Sequence, residues 1–277
     1  MRLRTSAIIL AAGACAVTAN TAMAQSQVYA RDNRLNRALS FPVNAPAPNV
    51  IWPSGTFDGY AMDFTADATV LYGIQEGTAT LNPLHLGTID LTTGAFSSIG
   101  VMSGDGADVT NWTGLAIGPD NTFYGSSSGN LYLINPATAA TTLIGSFGTG
   151  GTVIDIAIDS QGNMYAHDIG TDSLYSVDKS SGAATLIGPT GFAAGFAQGM
   201  DFDWATDTLY AHIYISGGVA HWASFDLTTG AATSLLDTSS WNSELEIAIA
   251  SPIPEPASLA VLGLGGLGLL RRRRVNA

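Results

Sequence analysis

Through the middle of the chain, apolar and polar residues alternate in short runs, and each run is closed by Gly, Asn, Asp or Thr. A period of two describes half-buried strands, and helical periodicity is nearly absent from this region. One triplet, apolar-Tyr-small, sets the register. It recurs as Val28-Tyr29-Ala30, Leu71-Tyr72-Gly73, Phe123-Tyr124-Gly125, Met164-Tyr165-Ala166 and Leu209-Tyr210-Ala211, with tyrosine spacings of 43, 52, 41 and 45 residues. Repeats of this length signal stacked or radial units.

Four of the triplets share the same neighbours. Ahead of them stand Met62-Asp63-Phe64, Leu115-Ala116-Ile117, Ile156-Ala157-Ile158 and Met200-Asp201-Phe202. Behind them comes an alternating run, and then a turn that starts at Asp90, Asn135, Asp178 or Asp226 and leads into a last strand. Asp and Asn accept bonds from the amides that follow them, and Gly takes positive φ without strain, so these segments predict tight hairpins. Each unit is therefore four short strands, the size of a propeller blade. The first triplet has no strand ahead of it, and "LEIAIA" from Leu245 to Ala250 is a lone first strand at the other end. Joining the two completes one blade and closes the ring. The expectation is an all-β chain: a β-propeller of five four-stranded blades, its N- and C-terminal strands completing one blade. A sixth blade is expected if Met102 to Thr113 hides an irregular hairpin. The repeats resemble the NHL or YVTN class of propellers over Gln27 to Ala250, a resemblance that implies fold and not activity.

Charge narrows the partners. Of the ten basic residues, only Arg31, Arg34, Arg37 and Lys179 lie between the ends, against 22 acids. So acidic a surface repels nucleic acid and anionic lipid.

The chemistry is sparse. Equivalent middle positions of the first strands are Asp63, Ala116, Ala157, Asp201 and Ala248, read as a ring around a narrow, wet channel. Asp63 and Asp201 there suit a hard cation such as Ca²⁺, or else are solvated or bonded to backbone amides. No other cofactor is expected. Asp155, Asp159, Asp203 and Asp207 are read as turn residues. His167 and His212 occupy equivalent places, but no third ligand matches for zinc, and His85 and His221 do not join them. No nucleophile elbow or His-Glu-x-x-His is present. Trp112, Trp204, Trp222 and Trp241 would stack on sugars if they gathered on one face.

The ends carry addresses. Arg2 and Arg4, the apolar stretch Ala7 to Val17 and Ala22-Met23-Ala24 read as a signal peptide cut after Ala24; Ala12-Gly13-Ala14-Cys15 is a loose lipoprotein alternative. Cys15, the sole cysteine, leaves with the signal, so the mature chain has no disulfide. At the other end stand Pro254-Glu255-Pro256, an apolar run from Ala257 to Leu270, and Arg271, Arg272, Arg273 and Arg274. The run is short for a membrane span and has no polar face, and the arginines would stop export on the cytoplasmic side. These residues resemble the PEP-CTERM sorting signal. That resemblance implies processing by an exosortase-type enzyme, at least transient anchoring in the inner membrane by a C-terminal apolar helix, and delivery to the cell surface or extracellular matrix. The expected organisation is a signal peptide at 1–24, a propeller at 25–251 and a sorting segment at 252–277. The expected function is a non-catalytic, exported propeller with binding or structural roles, in contact with exopolysaccharide or surface proteins. The alternative is a secreted lyase or hydrolase acting on extracellular polysaccharide, which would require acids and histidines to converge at one channel mouth.

Overall fold

The computed structural model describes residues 25–52, 57–75, 84–105, 112–196 and 198–251. The expected signal peptide, the sorting segment and its apolar helix lie outside the described residues. Among the described residues no helix is long and apolar enough to cross a membrane.

Five sheets form five blades. Blade 1 pairs Leu245–Ala250 with Gln27–Asp32, so the last strand is innermost and the two ends of the described chain share one sheet. Blades 2 to 5 follow in sequence order, with innermost strands Met62–Phe64, Trp112–Ile117, Val153–Ile158 and Met200–Asp203. Ser103–Gly104 adds a short parallel strand to blade 3, and within the described residues the stretch from Met102 to Thr113 supplies no sixth blade.

The hairpins form as their composition demands. Asp90 Oδ1 accepts the amides of Thr92 and Thr93, Asp178 Oδ1 that of Ser180, and Asp226 Oδ1 those of Thr228 and Thr229. Glycines at positive φ complete the same three turns, whereas Ala139 takes φ 60° in the turn begun by Asn135. A close approach explains the Ile-Gly near the end of the outer strands. A Cβ on Gly188 would sit 2.1 Å from the Thr229 carbonyl oxygen, in the turn of the next blade.

The core is a set of five apolar clusters, one between each neighbouring pair of blades. Between blades 5 and 1, for example, Trp222 lies parallel to Tyr210 and edge-on to Phe41. This arrangement corrects the expected wet ring. The blades stand radially, so alternate residues of an inner strand face the preceding and following blades, not the channel. Ala116, Ala157 and Ala248 are accordingly buried in three different clusters.

Candidate functional site: the two mouths of the channel

The inner strands carry two rows of positions that face the following blade. One row is Asp63, Ala116, Ala157, Asp201 and Ala248. The other, two residues earlier, is Ala61, Gly114, Asp155, Gly199 and Glu246. Blades 1, 2, 4 and 5 each hold one acid, and its counterpart in the other row is small. Each acid reaches the edge of the next inner strand. Asp63 Oδ2 accepts the amide of Ile117 (2.6 Å), Asp155 Oδ2 that of Met200 (2.6 Å), Asp201 Oδ2 that of Ile249 (2.6 Å) and Glu246 Oε1 that of Met62 (3.3 Å). The three aspartates also accept the amide of the residue that follows them. An inner strand has one unpaired edge, and these carboxyls satisfy amides that the ring would otherwise bury bare. At the junction of blades 3 and 4 the Thr113 hydroxyl donates to Val153 O instead.

All four acids are deeply buried. Burial outweighs the amide bonds and pushes each carboxyl up: Asp201 to about 7, and Asp63, Asp155 and Glu246 well above the usual range, with neighbouring carboxyls adding to the push. Asp155 thus lies inside a strand and does structural work, correcting its reading as a turn residue. Its signal was present: "DIAI" at Asp155 and "EIAI" at Glu246 are the same acid-Ile-Ala-Ile in equivalent strands.

Asp63 and Asp201, the candidate cation ligands, line one narrow mouth. The cleft there measures about 10 Å³, room for about one water. Asp203, also buried, closes this end: its Oδ1 accepts the hydroxyls of Ser26 (2.6 Å) and Ser251 (2.8 Å), from the two ends of the described chain. Trp204 Nε1 donates to Ile158 O. Among the described residues no group of three or more metal-type side chains gathers.

The other mouth is wide. A cavity of about 450 Å³ opens where the inner strands begin, and every blade or the loop entering it contributes: Glu244 and Glu246, Tyr60, Trp112 and Thr113, Thr152 and Ile154, and Gln198, with Ile169 and Phe196. Among the described residues no basic side chain lines it. Gln198 is 2% exposed; its Nε2 donates to Tyr214 O, which leaves Oε1 without a partner. Trp112 is 1% exposed, and its Nε1 also has none. Phe196 is the reverse, 71% exposed at φ 61°, a backbone region that bulky residues avoid. Its loop is pinned on both sides, by the Ala194–Ile215 bridge and by Gln198.

The histidines do not converge on either mouth. His167 and His212 are equivalent and fully buried between blades, against Phe225 and Trp241, and burial lowers them to about 4 and about 3. The tryptophans scatter as well: Trp112 lines the wide mouth, Trp204 the narrow one, and Trp222 and Trp241 pack against Phe41. The interior arginines are engaged, Arg31 with Asp58 and Phe57 O, Arg37 with Asp32 and Arg34 with Tyr214.

Residues 53–234 match a family model described as Repeat of unknown function (DUF6923). The chain belongs to this DUF6923 repeat family. Residues 252–274 match the PEP-CTERM protein-sorting motif, which marks the DUF6923 chain as an exported protein with a transient membrane stage. Comparison with curated proteins gave no match. The DUF6923 fold is similar to that in a crystal structure of a nidogen/laminin complex, with TM-score 0.51 and 13% identity over 81% of this chain and 98% of that one. It is also similar to a protein of unknown function from Bacteroides caccae, with TM-score 0.54 and 10% identity over the same shares. Virginiamycin B lyase from Staphylococcus aureus matches at TM-score 0.46 and 14% identity, over 76% of this chain and 66% of that one, too remote to carry an argument. At these identities the likeness concerns the fold alone.

Proposed function

We propose that this DUF6923 chain is a non-catalytic binding propeller of the cell surface or extracellular matrix, and that its ligand seats in the wide mouth. One observation carries the binding reading: a cavity of about 450 Å³ to which all five blades contribute is lined by Tyr60, Ile154, Ile169 and the exposed Phe196 ring beside Glu244. A concave site of this size, mostly apolar and aromatic with a few polar groups, is the usual form of a ligand pocket. A lyase or hydrolase acting on polysaccharide has less support, because His167 and His212 line neither mouth.

In this reading residues 1–24 are removed as a signal peptide, 25–251 form the propeller and 252–277 direct sorting. An exosortase-type enzyme acts near Pro254, Glu255 and Pro256 while Arg271 to Arg274 remain on the cytoplasmic side. Two experiments test the proposal. Mass spectrometry of the exported protein is expected to find the arginine cluster gone; exported material that still ends in Arg271 to Arg274 and Val275 contradicts the sorting step. A thermal-shift screen of that protein against a diverse small-molecule set is expected to raise Tm for compounds that lose their effect in Phe196→Ala. Hits that are indifferent to this change would move the site elsewhere.

A further inference from the structure

We propose that, while the chain is anchored by its C-terminal segment, the propeller stands on the membrane with its narrow mouth towards the lipid and its wide mouth facing away. This rests on the reading of residues 252–277 as a sorting segment and adds which face of the propeller meets the bilayer.

The exit point of the chain is the first support. The innermost strand of blade 1, Leu245–Ala250, runs from the wide mouth, where Glu244 and Glu246 line the cavity, to the narrow one, where Ser251 lines the cleft with Asp63 and Asp201. Ser251 is buried, and its hydroxyl donates to Asp203 Oδ1 (2.8 Å). The chain is therefore held at the propeller axis up to its last described residue.

Reach is the second. Six steps of the chain lead from Ser251 to Ala257, where the apolar run begins. Even fully extended they span only about 20 Å, at about 3.5 Å per residue. A domain of this length has a radius of roughly 20 Å. A tether that leaves along the axis lets the narrow face lie close to the lipid. Laying the propeller on its side would use the whole tether. Turning the wide mouth to the lipid would require the tether to round the rim and then follow the length of an inner strand, about 20 Å more.

The third support is the surface of the narrow face. The turns between first and second strands ring this mouth and carry Asp67, Asp120, Asp159 and Asp207. Among the described residues none of the exposed large apolar side chains lies in these turns. Hydrogen bonds from Thr69 and Thr65 hold Asp67 below the usual carboxylate range, and those from Thr122 do the same for Asp120, so both are ionised. Lys179, over the Tyr124 ring, offsets one of these charges. Such a face does not insert into lipid and is repelled by anionic headgroups. It stands off from the bilayer, with Pro254, Glu255 and Pro256 in the tether that spans the gap, and the wide mouth is open to a ligand before the tail is processed.

The test is energy transfer in the membrane-bound form, signal removed and tail retained, reconstituted into phosphatidylcholine vesicles whose headgroups carry the acceptor. Donors are placed on single thiols, Gln161→Cys in a narrow-mouth turn of blade 4 and Ser216→Cys in the wide-side turn of blade 5, beside the loop of Phe196; both positions are exposed. Transfer from Gln161→Cys is expected to exceed that from Ser216→Cys at least about twofold, because the two lie about an inner strand's length apart, roughly 20 Å. Thr69→Cys and Leu35→Cys are the corresponding pair on blades 2 and 1, with the same ratio expected, should either of the first two fail to fold. Equal transfer from the two faces would lay the propeller on its side, and stronger transfer from Ser216→Cys would invert it; either overturns the inference while the anchoring stands. If the chain does not float with the vesicles, the anchoring and the inference fall together.

Discussion

The two mouths of one channel are built from the same five strands and differ in how their polar groups are met. At the narrow mouth each carboxyl oxygen of Asp63 and Asp201 accepts a backbone amide, Trp204 Nε1 has a carbonyl, and Asp203 holds Ser26 and Ser251. At the wide mouth Trp112 Nε1 and Gln198 Oε1 have no partner, and Phe196 holds a strained, exposed position. Buried polar groups that partner one another hold a fold together. The acids at the narrow mouth are therefore clasps between blades, and the wide mouth is where we propose that a ligand seats.

The largest test of this contrast is pH. Carboxyls raised by folding contribute stability that is complete below their ordinary value, 3.8 for aspartate, and is lost as pH rises through the folded value, about 7 for Asp201. His167 and His212 act the opposite way. Lowered from 6.5 to about 4 and about 3, they contribute stability above pH 6.5 that is lost as pH falls towards 4. Four raised carboxyls outnumber two lowered imidazoles, so urea-derived stability is expected to fall between about pH 5 and pH 7. Asp201→Asn should flatten that slope by up to about 1.4 kcal/mol per pH unit, about 4 kcal/mol over the whole span from 3.8 to about 7. An unaltered slope would remove Asp201 from the set of clasps.

Next in size is Asp203→Ala, which strips the acceptor shared by Ser26 and Ser251 and the bonds from Ala205 and Thr206. We expect a loss of about 3 kcal/mol in chemical unfolding, because several donors are left bare where the buried carboxyl stood. A loss below about 1 kcal/mol would mean that the ring closes without this latch.

The smallest effect has the opposite sign. Phe196→Gly relieves the positive φ and should leave stability unchanged or raise it by about 0.5–1 kcal/mol, while ligand binding is lost. A marked drop in Tm would make Phe196 part of the packing and weaken the contrast.

Much of the fold was legible. The tyrosine triplets counted the blades, and the Asp-to-Gly hairpins formed because their chemistry is local. The strand from Leu245 to Ala250 fell into place because a lone first strand needs the partner that the N-terminus lacks. The acids were harder. Asp63 and Asp201 were found by alternation, but alternation does not say that a radial sheet turns its faces towards other blades, so amide edges were mistaken for open channel. Asp155 reads as a turn residue although "DIAI" repeats in "EIAI". The wide mouth was least legible. Tyr60, Phe196 and Gln198 lie in loops between blades that carry no repeat, and only the closed ring brings them together.

The most direct measurement is a ¹H–¹⁵N spectrum of the tryptophan side chains, recorded while a diverse small-molecule set is added to the exported protein. Trp112 Nε1–H and Trp204 Nε1–H report on the two mouths in one experiment. The account predicts that bound compounds shift the Trp112 signal and leave that of Trp204 in place. Compounds that shift Trp204 alone, or a set that moves neither signal, would contradict it.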